Sequence, residues 1–365
     1  MTPVAATRGA GEEETCCTGT PAHPFPRRLR PDMPKDHPAG APPAARTPDH
    51  ARFYVVGLGQ CSLDYLCTVE EYPAVDSKCE FQDFSVQGGG PVATALVVLA
   101  RWGVSADFIG LISDDPFGEA IRESLEQEGV GTGGMVVHRG GRSQFAFICI
   151  ERATAKRTVF WVRPQCGTIL PEEIPVESIA RADALHLDGL LIEASLAAAR
   201  LARDRGIPVV LDAGSLRPGM LELVRLTDHL IAAQRFADEY GHGESYATIL
   251  PRLRELGPKV VVVTLGEKGS IGLLDDEVRY FPALRVRARD TTGAGDVFHG
   301  AYIYGLLQRW DTGRCVALAT AAAGLNCRAI GGRPGIPSLQ EALEHMGSLP
   351  APLPWETARR LFEGP

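Results

Sequence analysis

Beyond residue 52 the chain alternates short apolar runs with longer stretches of helical spacing. Phe53-Tyr54-Val55-Val56-Gly57-Leu58-Gly59 is a short apolar run closed by glycines, as a buried strand would be. Pro91 to Trp102 is apolar almost throughout; it opens on proline and is stopped by Gly103, which predicts a buried helix. A strand is expected at 106–112 and a helix at 118–128. Further strands are expected at 184–188, 208–212, 229–232 and 259–264, with helices at 193–205, 217–226 and 244–256. A last strand, 281–288, leads to a helix at 296–308. Strands separated by helices imply a mostly parallel sheet with both faces covered, an α/β fold. Two stretches break this rhythm. Residues 60–87 and 142–162 alternate apolar and polar positions, as in Gln144-Phe145-Ala146-Phe147-Ile148-Cys149-Ile150. They predict antiparallel strands with one wet face, forming a small sheet over one end of the main one. Such a sheet could serve as a lid or as a surface for a second copy.

Residues 1–51 carry many prolines and arginines and few large apolar residues, so a disordered tail is expected there. The chain has 365 residues, 45% of them hydrophobic and 22% charged, the composition of a soluble globular protein. Its formal charge of −8 argues against a broad nucleic-acid footprint. No apolar stretch approaches the roughly 18 residues of a membrane span. The start lacks a charged segment followed by an apolar one, so no secretory signal is expected. Nine scattered cysteines, several inside apolar runs, read as reduced thiols in a cytoplasmic protein.

The strongest chemical signal is Asp290-Thr291-Thr292-Gly293-Ala294-Gly295-Asp296-Val297-Phe298-His299-Gly300. Small residues before a helix leave backbone N–H groups open to an anion at its positive end. Asp296 at that end either caps the helix or accepts a proton from an attacking hydroxyl. Gly88-Gly89-Gly90-Pro91 offers a similar turn, either a tight strand-to-helix connection or a floor for a hydroxylated substrate. Thr264-Leu265-Gly266-Glu267-Lys268-Gly269 ends an apolar strand where ligands of open α/β sheets bind, although a hairpin turn into Ser270–Leu274 explains it equally well. Asp64, just past the first strand, is either a solvated loop residue or a ligand for substrate hydroxyls. Gly57-Leu58-Gly59 is not a dinucleotide fingerprint, because no further glycine opens a helix.

In this order these motifs resemble the PfkB, or ribokinase-like, carbohydrate kinases over residues 53–345, leaving 346–365 as a C-terminal extension. The resemblance implies a three-layer α/β/α sandwich over 52–345 with a small antiparallel β lid. It also implies ATP- and Mg²⁺-dependent phosphorylation of a sugar hydroxyl, with K⁺ as a further cofactor. Carried over, Asp296 is the base, and Gly293, Ala294 and Gly295 form the anion hole. Asp64, Gly88 and Gly89 bind the sugar, and Thr264, Gly266 and Gly269 line the nucleotide. Asp290 and Thr292 hold the monovalent cation. Lid sheets with an apolar outer face often pair, so a homodimer through the lid is a further expectation, and charge and hydropathy lead to no nucleic-acid or membrane partner being expected.

Ser77-Lys78, Gly88–Ala95, Asp296–Ala301 and Gly331–Pro337 are similar to the sulfofructose kinase branch, and Lys78 fits an anion-facing role. The Asn and Arg that this branch directs at the sulfonate fall on Trp161 and Leu190, which are apolar. The family's Asn-x-x-Glu falls on Ala233 and Phe236, with Asp238 and Glu239 one helical turn away as substitutes. Two other readings stand beside the sugar kinase. One is a nucleoside kinase, its base held by Phe145, Phe147 and Trp161; the other is a sugar-sensing protein that has lost turnover.

Overall fold

The computed structural model describes residues 53–361; the expected tail at 1–51 lies outside the described residues. The chain opens with β1 (Tyr54–Leu58), β2 (Ser62–Val69) and β3 (Gln82–Gly89), followed by helix α1 (Pro91–Arg101). Then come β4 (Ser105–Ile109), β5 (Leu111–Ser113), α2 (Pro116–Gln127), β6 (Val136–His138), β7 (Phe145–Glu151) and β8 (Lys156–Val162). The middle alternates α3 (Val176–Ala180), β9 (Ala184–Leu187), α4 (Ile192–Asp204), β10 (Val209–Ala213), α5 (Met220–Arg225), β11 (His229–Ala233), α6 (Gln234–Gly241) and α7 (Tyr246–Glu255). After β12 (Val260–Thr264), β13 (Ser270–Leu274) and β14 (Glu277–Phe281) come α8 (Ala294–Leu307), α9 (Thr312–Asn326) and α10 (Leu339–Met346). The described chain closes with β15 (Leu353–Pro354) and α11 (Trp355–Ala358).

The main sheet has nine strands in the order β15-β14-β13-β12-β11-β10-β9-β1-β4. From β12 to β4 every pairing is parallel, and β13, β14 and β15 join antiparallel at one edge. Successive side chains point to opposite faces of a strand, and both faces here are apolar. Val55, Val210, Ile231 and Val262 pack into the core with α1, α8 and α9. Their neighbours Val56, Leu211, Leu230 and Val261 pack into the core with α4 to α7. This is a three-layer α/β/α sandwich.

The second sheet, β3-β2-β7-β8, is the lid. It consists of two antiparallel hairpins, β2–β3 and β7–β8, joined by a parallel pairing of β2 with β7. Leu66, Ala146, Ile148 and Ile150 form its buried face, with Ile330 packed against them.

Two expected elements differ. The strand expected at 106–112 breaks at Gly110: β4 stays in the main sheet, while β5 leaves it to pair with β6. The strand expected at 281–288 ends at Phe281. Pro282 has no N–H for a ladder, and Arg285, Arg287 and Arg289 alternate in sequence without a partner strand. Helices α3, α9, α10 and α11 have no counterpart among the expected elements, and α6 was expected only as the helical turn that carries Asp238 and Glu239.

Candidate active site

Parallel strands bring their carboxyl ends to one edge of the sheet, which is where open α/β sheets take ligands. Asp188 follows β9 there and is 4% exposed. Its Oδ2 accepts from Gln60 N at 2.8 Å and its Oδ1 from Leu190 N at 2.9 Å. Burial, with Asp212 adding to it, pushes the Asp188 carboxyl up to about 7 against those two bonds. Asp212 closes β10, and its Oδ2 lies 3.6 Å from His299 Nδ1. His299 Nδ1 also lies 2.7 Å from Gly295 O, and its Nε2 lies 3.3 Å from Ile231 O. His186 stacks on His299 at 5.5 Å and is pushed down to about 3, chiefly by burial, so its ring is neutral.

The glycine-rich run forms the turn into α8. Asp290 is buried and ties the turn together. Its Oδ1 accepts from Thr292 N at 2.9 Å and Thr292 Oγ1 at 2.8 Å, and its Oδ2 accepts from Gly331 N at 2.8 Å. Gly293 takes φ 74°, and a Cβ there would stand 2.5 Å from Gly332 Cα, so only glycine fits. The first-turn amides of α8 have no intrahelical partner, and they open at the same place as Asp296. Burial raises the Asp296 carboxyl to about 6, and Asp212 adds to the rise. His299 and Arg157 oppose it, while Asp64 pushes with Asp212. A carboxylate with this affinity is suited to take a proton near neutral pH.

Asp64 comes from β2, with Oδ1 accepting from Ser62 Oγ at 2.7 Å. Burial raises its carboxyl, while Ser62 and Arg333 draw it back. Gly89 lies against it: a Cβ on Gly89 would stand 2.0 Å from Asp64 Oδ2. Gly88 covers Arg333, whose guanidinium would be 2.5 Å from a Cβ at that position. Arg333 is 5% exposed, donates from Nη1 to Ser124 Oγ at 3.3 Å, and has no partner at Nε. A buried cation therefore lies behind the glycine turn, beside the Asp64 carboxylate. Lys78 stands exposed in the loop between β2 and β3.

The register separates the lid aromatics. Asp64, Ala146 and Trp161 are cross-strand neighbours on the body-facing side. Phe145 and Phe147 lie on the other face, where Phe145 stacks on Phe117 at 4.7 Å and Phe147 meets Tyr65 at 5.3 Å. The pocket expected from Phe145, Phe147 and Trp161 together therefore does not form; period-two alternation puts the first two on the far side.

Thr264 ends β12, with Oγ1 donating to Ala232 O at 3.4 Å. Gly266 (φ 61°) and Gly269 (φ 92°) bend the chain into β13, so this segment is a hairpin turn located at the ligand edge. Ala233 ends β11, and Phe236 is fully buried. The neighbouring carboxylates are engaged elsewhere. Asp238 accepts from Tyr246 Oη at 3.3 Å. Glu239 accepts from Arg235 Nε at 2.8 Å and from Leu216 N at 2.7 Å, clamping the loop after β10.

The pattern of the pfkB family carbohydrate kinases matches residues 52–339. The chain belongs to the pfkB family of carbohydrate kinases. It is thus a phosphotransferase. It is similar to the ribokinase of Haemophilus influenzae, 26% identical over 299 residues that cover 79% of this chain and 97% of that one. It is similar to Fructokinase-1 of Oryza sativa subsp. japonica, 26% identical over 319 residues, 80% and 98% of the two chains. The structure of Arabidopsis thaliana ribokinase complexed with ribose and ATP superposes with TM-score 0.70 at 21% identity, covering 80% and 98%. No helix among the described residues is long and apolar enough to cross a membrane.

Within this pfkB chain the structure groups Asp296, Gly293, Ala294, Gly295, Asp290 and Thr292 around the start of α8, with Asp64 electrostatically coupled to them. It adds Asp188, Asp212, His299, Arg157 and Arg333, which sequence reasoning did not single out. Asp188 and Asp212 carried a readable signal, being polar residues that end apolar strands. His299 and Arg333 lie inside two stretches quoted above, 290–300 and 331–337, with no role given to either, and Arg157 carried no signal.

Proposed function

We propose that the chain transfers the γ-phosphoryl group of ATP to a hydroxyl of a small uncharged sugar, with Asp296 as the base. The observation that supports this most strongly is a carboxylate raised to about 6 in the first turn of α8. A group there accepts the hydroxyl proton while the amides of Gly293, Ala294 and Gly295 hold the oxygens of the transferring phosphoryl. Asp64 grips sugar hydroxyls over the Gly88–Gly89 turn. The hairpin bearing Thr264, Gly266 and Gly269 borders the nucleotide. Mg²⁺ suits the site: the Asp212 side chain is 14% exposed and repels Asp296, and magnesium is commonly held by one or two carboxylates plus phosphates. When bound, it would neutralise phosphate charge. K⁺ would sit against Asp290 and Thr292, since Asp290 Oδ2 accepts one hydrogen bond and keeps a lone pair.

Trp161 and Leu190 give a sulfonate neither a cation nor an amide donor, only the single neutral indole N–H of Trp161, which is why a neutral sugar is preferred over sulfofructose as the substrate. Lys78 would then meet solvent or a sugar hydroxyl. A homodimer through the exposed aromatic face of the lid, where Phe84, Phe147 and Phe160 are each more than half exposed, is part of the same reading. An ATP-consumption screen over neutral sugars, sugar phosphates, sulfosugars and nucleosides tests it. Turnover on a neutral sugar supports the proposal. Turnover restricted to nucleosides, or none at all, contradicts it.

A further inference from the structure

The lid touches the phosphate loop through one side chain that neither composition nor motif points to. Arg157 lies on β8, the free edge strand of the lid, opposite Ile150 and on the same face as Val159 and Trp161. Its Nη1 donates to Thr291 Oγ1 at 2.7 Å. Thr291 stands between Asp290, which ties the turn, and Thr292, which that carboxylate holds. Arg157 and Thr291 are both exposed, so the contact serves no core. An exposed hydrogen bond of this kind adds little to stability. Its placement is what counts: it bridges two sheets across the mouth of α8, where phosphoryl charge must gather.

The groups whose charge reaches Asp296 come from four elements. They are Asp212 at the end of β10, His299 on α8, Asp64 on β2 and Arg157 on β8. Arg157 is the one cation among them contributed by the lid. A lid that closes without it would bring the Asp64 carboxylate toward Asp296 with one cation fewer to offset the pair, leaving Arg333 behind Asp64 and His299 beside Asp296.

We propose that Arg157 is a positioning residue that latches the lid to the phosphate loop through Thr291. In the closed arrangement it sets the Thr291–Gly293 turn and supplies positive charge beside the base. The latch itself stands on the contact geometry; its kinetic consequence rests on the kinase reading above.

Three variants of the full chain test it: Arg157→Met, Arg157→Lys and Thr291→Val. The first readout needs no turnover. Amide exchange of Lys156–Val162 and of the Thr291–Gly293 turn should quicken in Arg157→Met and Thr291→Val, while segments away from both and the melting temperature stay as in wild type. The second readout is kinetic, on whichever sugar the screen identifies. A charge-assisted hydrogen bond is worth roughly tenfold, so kcat should fall about tenfold in both variants. The Arg157→Met/Thr291→Val double variant should be no worse than either single. Removing the cation leaves burial and the two aspartates unopposed by it, so the acid limb of kcat/KM should move to higher pH in Arg157→Met and stay in place in Arg157→Lys. Unchanged exchange in β8, or single effects that multiply in the double variant, would overturn the latch. A wild-type chain inactive on every sugar would sink the kinase reading, and the exchange measurement would still decide the latch.

Discussion

Asp64 and Asp296 show what a single half-buried carboxylate does on this fold. Both are raised by burial, and each has a cation within electrostatic reach, Arg333 for Asp64 and Arg157 for Asp296. If Asp64 grips two sugar hydroxyls, Asp64→Ala should raise KM and also lower kcat, because its binding energy helps close the lid. The loss in kcat/KM should be roughly 10- to 150-fold. Steady-state kinetics of the variant check this, and wild-type values in both parameters would make Asp64 a bystander. The base must be ionised to act. With Asp296 at about 6, kcat/KM should decline as pH falls through that value and level off above it. A pH–rate profile without that acid limb would contradict the assignment. These two residues were legible in the sequence because each follows a recognisable strand or opens a helix. His299 and Arg333 fell inside stretches that stood out, but their contacts were not legible: these span 68 residues in one case and 209 in the other, set by strand order rather than by local pattern.

At the level of elements, the turn into α8 and the last edge of the sheet carry the most specific expectations. Gly293→Ala meets both a left-handed φ and the Gly332 backbone. It should cost on the order of 1–2 kcal/mol from the conformation alone, and it should also displace the helix start, lowering kcat/KM as well as the melting temperature. Wild-type values for both would show that the turn relaxes freely. At the other edge, β15 pairs with β14, and Trp355 is 8% exposed in the core under α7. Trp355→Ala should destabilise by about 3–5 kcal/mol while leaving sugar KM unchanged, measured by denaturant unfolding and kinetics on one preparation. The helix start was legible from its glycines and its aspartate. The run 281–288 was misread because alternating arginines imitate a strand period. Pairing needs a neighbour and an N–H at every other residue, and Pro282 breaks that condition at the first step.

For the whole molecule, the alternation of strands and helices was enough to place a parallel sheet between two helical layers, since that architecture alone buries both faces of so many apolar strands. The side-by-side order of the strands and the parallel joining of the two lid hairpins were not legible, because both depend on long-range pairing that no local period encodes. That pairing brings Asp296, the glycine-rich start of α8 and the lid-borne Arg157 together, and the proposed function stands on Asp296 as the base. Asp296→Asn is nearly isosteric and retains a side-chain oxygen at the start of the helix. The measurement is turnover on the active sugar, taken alongside the melting temperature and nucleotide affinity of the same variant. The account predicts that stability and nucleotide binding stay near wild type while kcat falls on the order of 10²- to 10⁴-fold. Retention of more than about a tenth of wild-type turnover in a folded, nucleotide-binding Asp296→Asn protein would contradict it.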